Sequence, residues 1–141
     1  MTNIISPVDG KIQAIDIVKG KYKVYCDVGV FDGNNILAPI DSSMIIKSYT
    51  NGLNLSSDTY KAKLLNERVN IKFGDISLKL LGGVCNSKIK LLKEDTVQQG
   101  EKIGKFINGI AIMKLPKYTD LSIQIGDKIK AGQTMIGKYN G

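Results

Sequence analysis

Apolar side chains along this chain alternate with polar ones over short stretches. From Tyr22 to Val30 every second position (Tyr22, Val24, Cys26, Val28, Val30) is apolar or weakly polar, and Val69, Ile71 and Phe73 repeat the pattern around Asn70 and Lys72. A period of two sends alternate side chains to opposite faces of a strand. This pattern, or enrichment in β-branched residues, predicts strands at Lys11 to Val18, Lys21 to Val30, Met44 to Tyr49, Val69 to Phe73 and Ile76 to Leu81. Further strands are predicted at Ser87 to Leu92, Glu101 to Phe106, Ile110 to Leu115, Ser122 to Gln124 and Thr134 to Tyr139. Turn chemistry separates them at Asp9-Gly10, Lys19-Gly20, Asn51-Gly52, Gly74-Asp75, Asn108-Gly109 and Gly126-Asp127. One helix is predicted over Ser57 to Glu67, with Ser56 or Ser57 as its N-cap. Many short strands closely spaced indicate an all-β sandwich or barrel.

A weak internal repeat points the same way. Gly100-Glu101-Lys102-Ile103-Gly104-Lys105-Phe106 echoes Gly132-Gln133-Thr134-Met135-Ile136-Gly137-Lys138-Tyr139, which is one residue longer. No Pro/Gly/Ser-rich stretch exceeds a turn, so residues 1–141 are expected to form a single domain. That length can bury a core without metals or disulfides. Cys26 and Cys85 are too few and too far apart for a metal site or disulfide framework, and Cys26 is expected to be a buried core thiol.

Charge narrows the partners. The net charge is +7, and Arg68 is the only arginine among twenty cationic residues. Lysine brings point charge without the planar fork that grips phosphate or guanine at two points, so sequence-specific nucleic-acid reading is not expected. Diffuse attraction to anionic lipid or an acidic partner surface remains. No stretch has membrane-spanning length, and Met1 to Ile5 reaches Ser6-Pro7 without the features of a signal peptide, so an intracellular or virus-particle location is expected.

Several short motifs occur in a fixed order. They are Ser6-Pro7-Val8-Asp9-Gly10-Lys11, Ala38-Pro39, Asn66-Glu67-Arg68-Val69 and Leu81-Gly82-Gly83-Val84, then Gly100-Glu101-Lys102-Ile103-Gly104 and Ile125-Gly126-Asp127-Lys128-Ile129-Lys130-Ala131-Gly132-Gln133. Together they resemble the catalytic core of phosphatidylserine decarboxylase over nearly the whole chain. The resemblance implies an all-β, barrel-sandwich-hybrid type of fold with at most one short helix. It also implies a Gly-Ser bond whose serine becomes a pyruvoyl group, with an aspartate and a histidine assisting cleavage. Asp9 matches that aspartate. Aligning Phe106-Ile107-Asn108-Gly109-Ile110-Ala111 with the family's Phe-x-x-Gly-Ser segment puts Gly109 and Ile110 at the cleaved bond. Asn34 is the counterpart of the histidine and Leu37 of an arginine. The chain contains no histidine and no Gly-Ser dipeptide.

Other chemistries find little support. Lys114, in Met113-Lys114-Leu115, lacks the hairpin setting of a biotinylated lysine, and a phosphotransferase domain would need a histidine. Gly82-Gly83 is not followed by a phosphate-loop Lys-Ser/Thr element, and the scattered carboxylates suggest no metal site. Asn66, Glu67 and Arg68 are expected to form a buried polar network tying a loop to the sheet. The sequence-level expectation is therefore a protein without catalysis and without a pyruvoyl group, with Asp9, Asn34, Gly109 and Ile110 as degenerate positions and Ile110 filling former site volume as packed core. Such a chain would serve as a structural or interaction component among other proteins of an assembly, such as a large DNA virus particle. The alternative is an anionic phospholipid-headgroup binding module, with an active decarboxylase the less favoured third.

Overall fold

The computed structural model describes residues 1–50, 66–83, 89–91 and 95–140. All its regular elements are strands: β1 Thr2–Ile5, β2 Gly10–Val18, β3 Lys21–Val28, β4 Asn35–Leu37, β5 Ser42–Thr50, β6 Arg68–Phe73 and β7 Ile76–Gly82, followed by β8 Lys90–Leu91, β9 Asp95–Val97, β10 Lys102–Lys105, β11 Gly109–Lys114, β12 Asp120–Leu121, β13 Lys128–Ile129 and β14 Met135–Tyr139. They make an eight-stranded sheet in the order β13-β2-β3-β11-β7-β6-β5-β9 and two three-stranded sheets, β1-β14-β12 and β4-β10-β8, all antiparallel. No helix among the described residues is long and apolar enough to cross a membrane.

The predicted alternation holds where strands are long. Val24, Cys26 and Val28 of β3, Val69, Ile71 and Phe73 of β6, Leu78 and Leu80 of β7, and Ala111 and Met113 of β11 all face one hydrophobic core. Burying a leucine- or valine-sized side chain contributes about 1.5–3 kcal/mol, so these inward rows drive the sheet together. The intervening residues Lys23, Asn70, Ser77, Lys79, Ile112 and Lys114 occupy the opposite face.

Several expectations need correction. Val30 lies beyond β3 and is 44% exposed, because the chain leaves the sheet at Gly29 to turn. The strand placed at Ser122 to Gln124 is instead Asp120–Leu121, paired with β14. β1, β4, β9 and β13 were not anticipated. The helix expected from Ser57 falls on residues outside the described set up to Leu65, and within its last two positions Asn66 makes an isolated bridge. Of the strand expected at Ser87 to Leu92, only Ile89 to Leu91 are described, and Cys85 lies outside.

The architecture is a pseudo-two-fold duplication. Ser6-Pro7-Val8-Asp9 and Ala38-Pro39-Ile40-Asp41 stand thirty-two positions apart and adopt matching roles. The Ile5 amide donates to the Pro39 carbonyl at 3.1 Å, and the Leu37 amide to the Pro7 carbonyl at 2.9 Å. Gly132 donates to the Ser6 carbonyl and Gly100 to the Ala38 carbonyl, each at 2.9 Å. Even the aspartates correspond: Asp9 Oδ1 accepts from the Ala131 amide and Asp41 Oδ1 from the Gln99 amide, each at 2.6 Å. The visible repeat at Gly100 and Gly132 is thus one part of a larger one. In the eight-stranded sheet β13, β2, β3 and β11 mirror β9, β5, β6 and β7 about the β11–β7 pair.

Cys26 is fully buried and its thiol is pushed up to about 12, chiefly by burial and then by Asp27 and Asp32. A raised thiol pKa contributes stability that is complete below the unfolded value near 9 and is lost as pH climbs through about 12. Urea titrations across this window should show stability falling with pH. The fall should be shallower in Cys26→Ala, whatever that variant's absolute stability; equal slopes would contradict the burial effect.

Candidate functional site

One end of the large sheet collects the residues singled out by motif. β2 begins at Gly10, directly after Asp9; β3 ends at Val28, β7 at Gly82, and β11 starts at Gly109 in register with both Val28 and Gly82. Asp9 uses both carboxylate oxygens structurally. Oδ1 takes the Ala131 amide, and Oδ2 takes the Gly33 amide at 3.1 Å, which holds the loop following β3. A Cβ on Gly33 would run into the Asp9 carboxylate, so this approach needs glycine. The next residue, Asn34, is exposed and accepts the Phe106 amide on its carbonyl at 2.9 Å. Two hydrogen bonds therefore connect Asp9, the Gly33-Asn34 pair and the segment leading into Gly109.

Gly109 has φ 140°, and a Cβ there would collide with the Leu81 carbonyl oxygen and come within 2.9 Å of the Phe106 ring. That packing supplies a physical reason for the Phe-x-x-Gly spacing: the buried aromatic ring seats under a position that only glycine can fill. Ile110 follows, in register with Asp27 on β3 and Leu81 on β7. Its side chain is half-buried and belongs to the face opposite the core, whereas Ala111 and Met113 point inward. The expectation that Ile110 had become packed core is thus corrected by strand parity: in Ile110-Ala111-Ile112-Met113 every residue is apolar, and the inward pair is the other one.

Beside this point lies a cavity of ≈400 Å³ lined by Lys11, Ile12, Gln13, Asp27, Ile125 and Gly126. Lys11 and Asp27 face each other in register across β2 and β3, and Asp27 in turn neighbours Ile110. Lys11 and Asp27 stand on neighbouring strands whose backbones lie roughly 5 Å apart, so one charge of each sign borders the cavity and could meet a zwitterion.

Within the Asn66-Glu67-Arg68 motif, Asn66 and Glu67 have the tying role expected of the network. Asn66 is fully buried and donates through Nδ2 to the Gly82 carbonyl at 2.6 Å. Glu67, 4% exposed, accepts the Ile89 amide at 2.9 Å and the Tyr49 hydroxyl. Burial first, and then Glu67, push the Tyr49 hydroxyl up to about 12. No group of three or more His, Cys, Asp or Glu side chains that could hold a metal lies among the described residues.

Comparison with known proteins sets these residues in context. Residues 1–137 match the family described as phosphatidylserine decarboxylase. The chain is 31% identical to the phosphatidylserine decarboxylase proenzyme of Desulfotalea psychrophila, covering 96% of this chain and 70% of that one. It is 27% identical to the proenzyme of the same name from Syntrophus aciditrophicus, covering 96% and 71%. A third, from Nitrosomonas eutropha, is 26% identical over 96% and 69%. No solved structure matches.

These likenesses correct the expectation of a non-enzyme without a pyruvoyl group. The relatives are named as proenzymes of a decarboxylase, and the family uses a pyruvoyl group. The expectation drew on substitutions at positions placed by short motifs, whereas the likeness to the proenzymes runs along the matched length. Ile110 itself, with a hydrocarbon side chain and no hydroxyl, does not fit a serine precursor. A structural role in an assembly or virus particle gains no support from relatives bearing the names of enzymes.

Two outcomes follow from the geometry. Asp9→Ala should lower stability by about 1 kcal/mol by removing two hydrogen bonds, one of them part-buried, and Asp41→Ala by less because it removes a single exposed one; equal stability of Asp9→Ala and wild type in urea would contradict the staple. Ile110→Ala should cost about 1 kcal/mol, below the ~2–5 kcal/mol of a core truncation, and a core-sized loss would contradict its outward placement.

Proposed function

The chain belongs to the phosphatidylserine decarboxylase family, and from that premise we propose that it binds the serine headgroup of a phospholipid at the end of the sheet where Gly109-Ile110 begins β11. One observation carries the reading. Asp27 and Lys11 line a ≈400 Å³ cavity side by side, and Asp27 adjoins Ile110 in register. The carboxylate suits an ammonium group and the lysine suits a carboxylate, so the pair complements the two charges of an amino-acid headgroup. A lipid carrying phosphate alone would engage Lys11 and offer no ammonium group to Asp27, which gives the site a basis for choosing serine. Asp9 supports this end of the sheet through the Gly33 and Ala131 amides, so it positions the site from beneath. Residues 1–141 act here as one domain, with a phospholipid as partner.

Vesicle sedimentation at several salt concentrations tests the proposal. Vesicles of phosphatidylcholine containing phosphatidylserine should retain the protein better than those with an equal fraction of phosphatidylglycerol, and the preference should outlast screening of diffuse lysine charge. Asp27→Asn should abolish the preference. Equal binding to both lipids, or a preference that vanishes with salt, would overturn headgroup recognition.

A further inference from the structure

The outer face of the large sheet carries a second cavity, of ≈370 Å³, across the strands β3, β11, β7, β6 and β5. Its described lining includes four lysines, Lys23, Lys47, Lys79 and Lys114, together with Asn70 and Ser77. Strand register brings them together. Lys114 stands opposite Lys23 on one side and Ser77 on the other, while Lys79 stands opposite Ile112 and Asn70. Lys47 falls at the register shift in β5 between Ile46 and Ser48.

Such an arrangement is costly without a counter-ion. Like charges facing each other across neighbouring strands destabilise a sheet, yet no carboxylate is among the described residues lining the cavity. The nearest acid in register is Asp16, opposite Lys23 on the far side of β3. Burial first, and then the charges of Arg68 and Lys23, hold the Lys79 ammonium below the usual lysine range. A bound anion would relieve the repulsion. Asn70 and Ser77 add neutral polar side chains that can donate hydrogen bonds to anionic oxygens.

We propose that this groove is a phosphate-binding site, in which Lys23, Lys79 and Lys114 surround a phosphate ester and Ser77 and Asn70 orient it. The site stands on the lysine geometry alone. Ile112, which lines the groove, lies two residues along the same face of β11 from Ile110, a separation of about 7 Å. A phospholipid ester seated in the groove would be distinct from a serine at Asp27, because Asp27 lies four residues, about 13 Å, along β3 from Lys23.

Thermal shift and calorimetric titration with inorganic phosphate and with glycerophosphoserine provide the test, against sodium chloride at matched ionic strength. Phosphate should raise the melting temperature beyond the chloride control, since a ligand that binds only the folded state stabilises it. The double variant Lys79→Gln/Lys114→Gln should weaken phosphate binding at least tenfold, while its unliganded melting temperature stays level or rises as repulsion is relieved. Lys114→Gln alone, on an exposed residue, gives the same direction should the double variant fail to fold. Lys19→Gln/Lys128→Gln, exposed lysines outside this groove, should leave binding unchanged. Equal losses in both double variants, or no phosphate shift beyond chloride, would overturn the site.

Phosphatidylserine and phosphatidylglycerol vesicles then separate the sources. If the groove variants weaken binding to both vesicles, the ester belongs to a lipid; if they affect only the soluble esters, the ligand is a free phosphate compound. Loss of the serine preference with phosphate binding intact would sink the headgroup reading and leave the groove standing.

Discussion

The mutual exchange of amide hydrogen bonds between Ile5-Ser6-Pro7 and Leu37-Ala38-Pro39 is the constraint on which the rest of the molecule hangs. Each segment must present a carbonyl to the strand that precedes the other, and each must also accept the amide of a glycine in the turn before a later strand. Proline suits the position because its fixed φ holds the carbonyl in place and its missing amide proton requires no partner. The two aspartates that follow staple the same turns with their side chains. Once the two segments are crossed, β1 and β4 are directed into the small sheets and β2 and β5 into the large one.

This crossing explains why the motif residues gather at one sheet end. Asp9 is the last residue before β2, and its carboxylate reaches both the loop after β3 and the turn before β14. Gly109 is pressed between neighbouring backbones over Phe106, which fixes where Ile110 starts its outward row. The cavity beside Asp27 and the lysine groove both lie on the outer face, one against β2 and β3 and the other across β3, β11, β7 and β6.

Long strands were legible because several full periods of alternation occurred in each. β1, β4, β9 and β13 were not, since two to four residues carry too little periodicity to register. The Gly100 and Gly132 repeat was visible because both glycines have positive φ, a demand few other residues meet. Its companion around the prolines was hidden: Ser6 becomes Ala38 and Val8 becomes Ile40, changes that preserve the fold's needs while erasing the likeness. Ile110 was misplaced because an unbroken apolar run gives no parity, and the cavity beside Asp27 needed a cross-strand partner to be seen. The lysine groove was invisible for a related reason. Lys23, Lys79 and Lys114 lie far apart in the chain, and only the register of β3, β11 and β7 brings them together.

The order of strands in the large sheet has a consequence for how the chain reaches this state. β11 is inserted between β3 and β7, and β1 pairs with β14, so apart from β2-β3, β5-β6 and β6-β7 the described strand pairs join elements that are not neighbours in sequence. Closing such loops must be endured before the contacts that reward it exist. Proteins dominated by remote pairings fold in milliseconds to seconds, far behind helical bundles of like size. The duplicated halves sharpen the difficulty, because β3 and β6 offer similar edges to an incoming β11 or β7. Gly109, where a Cβ would strike the Leu81 carbonyl oxygen and the Gly83 amide, fits only where backbones press together and so disfavours a wrong neighbour in the growing sheet.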